Sequence, residues 1–371
     1  MRAEIFPQGL ALGQNFCNRV VEQEHLLQNI QDARATLLMS PRRYGKTSLV
    51  THIINKLNIP FAGIDLYSEL DEAEIQNSIL TGIGKLVYSV ESTTTKAVKL
   101  ATEFFSGLNV SFRYQGAEIE LELNKSKQSS AKTILSVLKK LDELLIKKKK
   151  KAILFFDEFQ RVAEISTSGT IEGSIRHIAQ QSKNIAFVFS GSNRRLLESM
   201  FYDSKKPLYK LCDRINLDRI SKVDYEPFIQ NLAKTKWNKI LDQGTLDAIF
   251  NFTECHPYYV NVLCHKLWLF KEFPTEEIVS LTWHKYVVEE KSNILSEIDL
   301  LSKNQAKLLI AIAKYGDEMQ PMSKEFLSLT AFSLSSASQA VDILCKKDYL
   351  YLNDKKQYRI VDPLIKSLFQ K

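Results

Sequence analysis

The chain has 371 residues, of which 44% are hydrophobic and 25% are charged, and its formal net charge is +7. These values are near the averages of globular proteins, which excludes a disordered or fibrous chain and predicts about two or three domains. The sequence contains no stretch with the length and apolarity of a membrane span, and its five cysteines have neither disulfide-framework nor zinc-site spacing. We therefore expect no membrane partner, no structural metal and a cytoplasmic location.

The amino-terminal residues contain no apolar core of the kind found in a secretion signal. The first strand-like run along the chain is the apolar segment 35–39. A loop of the type G-x-x-x-x-G-K-[ST] follows it, in which N–H groups surround phosphates, the lysine reaches the β and γ oxygens, and the hydroxyl ligates Mg²⁺. A helix expected at 47–57 would point its amino terminus at the phosphates. The loop residues that we expect to bind nucleotide are Ser40, Pro41, Arg42, Arg43, Tyr44, Gly45, Lys46, Thr47 and Ser48.

Ser40 departs from this pattern, because it stands where the pattern begins with glycine. Serine would strain the loop backbone there only if the position requires a positive φ, because glycine adopts a positive φ readily and serine does not. The departure therefore weakens the match without breaking it. An ordinary turn between a strand and a helix is the alternative interpretation, and the order of strand, loop and helix argues against it.

Strand-like runs at 61–66, 152–156 and 185–189 alternate with helical patterns, which predicts an α/β core with one parallel sheet flanked by helices. Between the first two runs, residues 108–123 alternate in polarity and predict a β-hairpin insertion.

The helix expected at 132–146 runs into the five lysines 147–151. We interpret this run as a solvated helix end that complements the helix dipole, with nucleic-acid contact as the alternative.

Two acidic residues, Asp157 and Glu158, follow the run at 152–156. A strand buried on both faces that ends in acids is typical of parallel sheets, where ligands bind beyond the carboxyl ends of the strands. We expect Asp157 to hold Mg²⁺ with Thr47, directly or through water. Glu158 is then the expected general base that orients the attacking water.

Small polar residues and arginines follow the run at 185–189, again at the carboxyl end of a strand. A hydroxyl or amide there would hydrogen-bond the γ-phosphate or the water, and an arginine from this chain or a neighbouring subunit would stabilise transition-state charge. Helix capping and a solvated arginine face are the alternatives. The sequence does not decide which polar residue acts, Ser190, Ser192 or Asn193, or which arginine, Arg194, Arg195 or Arg214. The predicted site includes Ser192, Arg194 and Arg214 beside Lys46 and Glu158.

Helical patterns without strand-like runs, at 224–268 and 276–300, predict a helical lid. From residue 302, three helical patterns and a hairpin have the order of a winged-helix domain. Lys355, Lys356 and Arg359 would form a basic wing, whereas the third helix offers serines and a glutamine rather than cations. DNA and protein are therefore equally expected partners, and the oligomeric state, including a homo-oligomer, is left open.

The order of these motifs resembles that of the prokaryotic STAND/AAA-type ATPases known as the archaeal ATPase family, over nearly the whole chain. Residues 41–48 are similar to the family's P-R-R-x-G-K-T-S loop, and 155–158 to its strand followed by acids. Four further segments are less similar to family motifs. Residues 16–19 resemble the family's F-x-G-R element, and 207–209 resemble the family segment that precedes an arginine, here Arg214. Residues 255–257 resemble the G-x-P motif of the lid, and 361–364 resemble the D-P-L/F ending.

This resemblance implies ATP binding, Mg²⁺ dependence and a nucleotide-driven rearrangement of lid against core. It makes Arg19 and Pro257 nucleotide-binding candidates. Asn18, Ser40 and Cys255 each stand where the family has glycine, and each would loosen nucleotide binding. The domains expected are a P-loop ATPase core at 1–220, a helical lid at 221–300 and a winged-helix domain at 301–371.

Three functions fit these expectations. The first is an ATPase switch with Mg·ATP between core and lid, and the second is a nucleotide-dependent scaffold with little turnover, which Ser40 and Cys255 favour. The third is a DNA-bound initiator or loader like the origin-recognition ATPases. Turnover separates the first two, and DNA retention at moderate salt separates the third. The acid pair and the long carboxyl-terminal region argue against a small-molecule kinase.

Overall fold

A computed structural model describes residues 5–106, 110–115, 118–123, 130–166, 168–316, 319–353 and 356–370. Two compact units are present: residues 19–217 form the first unit, and the residues up to 18 form the second unit together with those from 218 onwards. Residues 5–18 thus group with the carboxyl-terminal region, whereas our division placed them in the domain 1–220. The division into three domains stays a prediction.

The described residues contain nine strands, five of which form one parallel sheet in the first unit. The strands are Thr36–Met39 (β1), Phe61–Asp65 (β2), Val110–Gln115 (β3), Glu118–Leu123 (β4), Ala152–Asp157 (β5), Ile185–Gly191 (β6), Asp213–Asn216 (β7), Leu350–Leu352 (β8) and Tyr358–Ile360 (β9). The sheet has the order β2-β5-β6-β1-β7, and each neighbouring pair is parallel. Because β6 lies between β1 and β5, the carboxyl ends of these three strands meet at one edge of the sheet.

Strands β5 and β6 lie inside the sheet and are apolar because helices cover both of their faces. Their rings Phe156 and Phe189 stack with centroids 5.4 Å apart. The four strands that the sequence predicted are confirmed within two residues at each end. The fifth, β7, was not predicted, because it pairs only with β1 and buries only Ile215 among four residues.

Eight helices accompany this sheet in the described part of the first unit. They are Val20–Gln31 (α1), Lys46–Lys56 (α2), Glu72–Ser89 (α3), Thr94–Phe105 (α4), Ser130–Lys148 (α5), Gln160–Ile165 (α6), Thr170–Ala179 (α7) and Arg194–Tyr202 (α8). Strands β3 and β4 pair antiparallel, with Val110 opposite Leu123, and β4 lies against α3. The predicted hairpin is therefore present, although residues 108, 109, 116 and 117 lie outside the described residues, and its place as an insertion stays a prediction.

The described residues of the second unit contain helices and one antiparallel hairpin, β8–β9. Its helices are Lys222–Trp237 (α9), Gln243–Thr253 (α10), Pro257–Leu269 (α11), Glu276–Asp299 (α12), Lys303–Tyr315 (α13), Lys324–Thr330 (α14), Leu334–Lys346 (α15) and Pro363–Phe369 (α16), with a short 3₁₀ helix at Gly13–Asn15. Three helices followed by a hairpin confirm the winged-helix order. In the part of the chain that the structure describes, no helix has the length and apolarity needed to cross a membrane.

An ionic cluster joins two of the motifs that the sequence singled out. Arg219 donates to the carboxylate of Glu254 and to the carbonyls of Ile360 (3.1 Å) and Val361 (3.0 Å), and Lys366 donates to the same carboxylate. Burial alone would raise the pKa of Glu254, but the charges of Arg219 and Lys366 outweigh burial and lower that pKa. The segments around 255–257 and 361–364 therefore lie together in the second unit.

Residues 5–18 pack into the second unit through an aromatic contact. The ring of Phe6 is buried and meets Trp268 edge to face, with centroids 4.8 Å apart. The amide of Asn261 donates to the carbonyl of Pro7 at 2.9 Å. A hydrophobic cluster continues from these residues through the helices of the unit.

Candidate functional site

The loop between β1 and α2 is shaped by one glycine at its end. Gly45 has φ 87, a left-handed conformation that glycine adopts at no steric cost, and α2 begins at the next residue. The first N–H groups of a helix have no partners within the helix, and the helix dipole favours negative charge there. The loop therefore places an anion-binding helix terminus at the carboxyl edge of the sheet.

Lys46 lies across this loop and is only 6% exposed. Its Nζ donates to the carbonyls of Ser40 (3.1 Å) and Pro41 (3.0 Å) and to the Ser40 hydroxyl (3.3 Å). Ser40 is not among the residues with positive φ, so serine is not strained at this position. The departure from glycine at Ser40 thus costs the loop no backbone strain and supplies one partner for the lysine.

Asp157, at the end of β5, accepts hydrogen bonds on both carboxylate oxygens. The Thr47 hydroxyl donates to Oδ2 at 2.6 Å, and Oδ1 accepts from the Ser190 hydroxyl and, at 3.1 Å, from the backbone N–H of Glu158. A hydroxyl and a carboxylate are oxygen ligands of the type that Mg²⁺ uses beside waters and substrate phosphates. Among the described residues, no group of three or more His, Cys, Asp or Glu side chains is placed to hold a metal. The pair Thr47 and Asp157 therefore fits Mg²⁺ that takes its other ligands from nucleotide and water.

Glu158 turns away from β5 in a left-handed conformation with φ 51. Its Oε2 accepts from the hydroxyl of Ser192 (2.8 Å), from the N–H of Ser192 (3.3 Å) and from the side-chain amide of Gln160. Its Oε1 has no hydrogen-bond partner among the described residues. A non-glycine residue in this conformation stores backbone strain, a feature that clusters at active sites.

Sequence reasoning missed one contact of Glu158 and one contact of its partner Ser192. Gln160 is 4% exposed, and a Cβ added at Gly191 would lie 1.9 Å from its Oε1, so only glycine leaves room for this amide. Arg42 Nε donates to the Ser192 hydroxyl at 3.3 Å. A glutamine at a helix start and a loop arginine carry no sequence signal for these contacts, which depend on β6 lying between β1 and β5 in the sheet.

The structure separates the remaining candidates after β6. Asn193 Oδ1 accepts from the N–H of Leu196 at 3.1 Å, which confirms the helix-capping interpretation for that residue. Arg194 is the first residue of α8, and its backbone N–H donates to the Ser192 carbonyl at 3.1 Å. Its side-chain role stays a prediction.

Arg214 lies on the edge strand β7 and is partnered there. It donates to Asn216 (2.6 Å) and Glu198 (3.2 Å), and its guanidinium lies 5.6 Å from the centre of the Tyr202 ring. The described contacts do not bring it to Asp157 or Glu158. A catalytic role for Arg214, in cis or in trans, stays a prediction.

Arg19 contacts the phosphate loop directly. It is 6% exposed and has φ 60, and its guanidinium donates to the Tyr44 carbonyl (3.0 Å) and to Glu22 (3.1 Å). Pro257 lies in the second unit as the first residue of α11. The nucleotide-binding roles of Arg19 and Pro257 stay predictions.

Two family profiles match the sequence. The profile of the "ATPase domain predominantly from Archaea" matches residues 16–263, which is more than half of the chain, and that of a "probable winged helix domain" matches residues 295–371. No curated protein matches the sequence significantly.

Two solved structures show the same fold. The Walker-type ATPase PABY2304 of Pyrococcus abyssi is 17% identical with a TM-score of 0.68, and the match covers 97% of each chain. The ORC2 protein of Aeropyrum pernix, in its ADPNP–ADP complexes, is 12% identical with a TM-score of 0.57 over 96% of each chain. At these identities the likeness is one of fold alone.

Proposed function

The chain belongs to the family of ATPase domains found predominantly in Archaea and is a P-loop ATPase with a winged-helix domain, and from this membership we propose a Mg²⁺-dependent molecular switch of the STAND/AAA type. The chain would change between two conformational states as it binds and hydrolyses ATP. The difference in free energy between these two states would move the winged helix or an assembly. The observation that carries the proposal is Asp157, which meets Thr47 of the phosphate loop and lies next to Glu158.

Nucleotide binding is the task of the loop. Lys46 would exchange the Ser40 and Pro41 oxygens for phosphate oxygens, which belong to an ionised group and so make stronger hydrogen bonds. Thr47 and Asp157 would hold Mg²⁺, which neutralises negative charge on the β and γ phosphates. Ser190 orients Asp157 for this role from the neighbouring strand β6.

Hydrolysis is the task of Glu158. Its unpartnered Oε1 would accept a proton from the attacking water and orient it toward the γ-phosphate. An arginine would stabilise the charge that develops in the transition state, either Arg194 or Arg214, from the same chain or from a neighbour. We place this switch in the cytoplasm, where its five free cysteines would stay reduced.

The test is binding and hydrolysis of ATP against GTP, with Mg²⁺ or with a chelator, for the native chain, Lys46→Ala and Glu158→Gln. We expect Mg²⁺-dependent turnover that falls at least about 100-fold in each variant, because loss of a charge-stabilising donor costs about 10²–10³ in rate and loss of a general base about 10²–10⁴. Glu158→Gln should keep ATP binding, whereas Lys46→Ala should lose most of it. Tight binding without turnover would favour the scaffold, and no binding would contradict the proposal.

A DNA-binding role is the second candidate, and the hairpin β8–β9 is the observation that favours it. The wing carries Lys356, and Arg359 lies on β9. A basic wing contacts the DNA backbone, so affinity should fall steeply with salt. We expect Lys355→Glu with Lys356→Glu to weaken duplex binding and to reduce the slope of log K against log salt by about 0.9 for each phosphate that the variant no longer neutralises. Unchanged binding in this double variant, measured by fluorescence anisotropy, would remove the hypothesis.

A further inference from the structure

We propose that a cleft beside the lysine run 147–151 binds a single-stranded nucleic acid, with lysines on its phosphates and the ring of Phe61 against one of its bases. The cleft lies in the first unit at the amino ends of β2 and β5, the edge of the sheet opposite the phosphate loop. Because it is separate from Lys46 and Asp157, this inference goes beyond the proposed function and does not depend on it.

The first step is the shape of the cleft. Its volume is about 860 Å³, within the range of about 300–1,000 Å³ that is typical of ligand sites. Its walls are the last turns of α2 and α3, the start of β2 and the turn after α5. The residues that line it include Asn55, Asn58, Ser92 and Phe61. The cleft therefore offers a ligand both hydrogen-bonding groups and an aromatic ring.

The second step is the turn that brings lysines to this cleft. Lys149 directly follows α5 and has a left-handed backbone with φ 52. The N–H of Lys150 then donates to the carbonyl of Leu145 at 3.0 Å, which closes the end of the helix. The chain reverses direction at this point, and Lys149, Lys150 and Lys151 all line the cleft.

The third step is the balance of charge. Glu91 is the only acid among the described lining residues, and it is paired with Lys148. The pKa of Glu91 is lowered, first by the hydrogen bond from Lys148 and further by the charges of Lys148, Lys150 and Lys96. Glu91 and the ends of α1, α2, α3 and α5 contribute roughly −3 charges in total, if each helix end counts as about −0.5. The five lysines of the run exceed this sum, so the cleft keeps an excess of positive charge.

The fourth step is which lysines are available to a ligand. Lys150 donates to the carbonyl of Val90, the C-cap of α3, at 2.6 Å, and Lys151 donates to the carbonyl of Gln31, the last residue of α1. These contacts fit lysines that complement helix dipoles. Lys149 is exposed, and its side chain has no hydrogen-bond or ion-pair partner among the described residues. Its ammonium group is therefore available to a phosphate.

The fifth step is the ring of Phe61, which is 43% exposed at the first residue of β2. Cations that follow a backbone of phosphates, together with a ring on which a base can stack, are typical of sites for single strands. The bases of a duplex are already paired and stacked, so they have no free face for such a ring. An acidic peptide offers carboxylates to the lysines but no flat face to Phe61. A single strand is the ligand that uses both features.

The first experiment measures fluorescence anisotropy of a labelled oligothymidylate with the full chain, in the presence of a chelator and without ATP. The native chain should bind it with an affinity that falls with salt. Lys149→Gln should reduce the slope of log K against log salt by about 0.7, the contribution of one phosphate of a single strand. The control is Lys205→Gln, because Lys205 is also exposed and its side chain has no partner among the described residues. Equal slopes for the two variants, or no binding by the native chain, would overturn the proposal.

The second experiment tests the ring with Phe61→Ala and the conservative variant Phe61→Tyr. Phe61→Ala should weaken binding at least about fivefold, because stacking of one base on an aromatic ring is worth that much or more. Phe61→Tyr should stay within about twofold of the native chain. On an abasic strand of the same length, Phe61→Ala should have no effect. An equal loss on the abasic strand, with circular dichroism showing a folded variant, would mean that Phe61 does not stack on a base.

A third set of measurements separates the cleft from the other two places where phosphates can bind. Lys46→Ala, and Lys355→Glu with Lys356→Glu, should each keep the Kd of the oligothymidylate within about twofold. Loss of binding in the first variant would place the strand on the phosphate loop, and loss in the second would place it on the wing; either result overturns the cleft. Thymidine monophosphate that displaces the strand at equal concentration would make the ligand a free nucleotide and would also contradict the proposal.

Discussion

Cys255 has a left-handed backbone with φ 57, directly after Glu254 with φ 47. This pair follows the end of α10 at Thr253, a place where helices commonly end in glycine because other L-residues pay about 1–2 kcal/mol for that conformation. Asn18 is also left-handed, with φ 46, but asparagine tolerates the conformation better. Ser40 has no positive φ. The three departures from glycine are therefore physically different.

We predict opposite effects on stability for two substitutions to glycine. Cys255→Gly should raise the free energy of unfolding by about 0.5–1 kcal/mol, because relief of left-handed strain exceeds the entropy cost of glycine. Ser40→Gly should lower it by about 1 kcal/mol, because the chain gains flexibility and Lys46 loses a partner. Urea unfolding of both variants gives the measurement, and a gain from Ser40→Gly would mean that this position is strained after all.

Single residues also show which parts of the candidate site could be predicted from the sequence. Lys46, Thr47, Asp157 and Glu158 were predictable, because each stands at a fixed offset from a strand end and its chemistry depends on residue type. Gln160 was not predictable, because its position at Glu158 depends on the missing side chain of Gly191 on another strand.

At the scale of elements, the buried strands were predictable because helices cover both faces and demand unbroken apolar runs. Strand β7 lies at the edge, where one buried residue suffices, so its sequence resembles a loop. The cluster of Glu254 with Arg219 and Lys366 could not be predicted from the sequence either, because it joins elements far apart in sequence. Its partners become visible only when α10, β9 and α16 are packed together.

We predict that Glu254→Gln lowers the free energy of unfolding by about 2–4 kcal/mol at neutral pH, because it leaves two cations in a largely buried site without their counter-ion. The folded-state pKa of Glu254 is lowered, so its stabilisation is complete above the ordinary value near 4.3 and is lost as the pH falls below it.

Denaturant unfolding at pH 7 and at about pH 3 measures this effect, and the difference from the native chain should shrink at the lower pH. The exposed Glu272→Gln serves as the control and should change stability by less than about 0.5 kcal/mol at either pH. A difference for Glu254→Gln that is independent of pH would show that charge is not the source of the stabilisation.

At the scale of the whole molecule, the two units can be observed separately. The chain has three tryptophans, and Trp237, Trp268 and Trp283 all belong to the second unit. Tryptophan fluorescence therefore reports on the unit that carries the winged helix, whereas the phosphate loop lies in the other unit. A nucleotide effect on this fluorescence therefore shows that the second unit responds to nucleotide.

We predict that a nucleotide analogue at 100 times its Kd moves the tryptophan-monitored unfolding transition to higher denaturant. Ligand binding at this concentration stabilises the state that binds by about 2.7 kcal/mol, and a switch must pass part of this free energy to the second unit. Lys46→Ala should abolish the shift. A transition that moves by circular dichroism but not by fluorescence would show that the units unfold independently, against the switch.

The burial of Phe6 among the helices of the second unit has a consequence for the order of events during synthesis. Residues 5–18 are synthesised before the first unit, but Phe228 and Trp268, against which Phe6 packs, are synthesised after it. Domains generally fold as units as the chain emerges from the ribosome. The first unit can therefore fold while Phe6 is still exposed, and a chaperone that binds this nascent segment would protect Phe6 until its partners are translated.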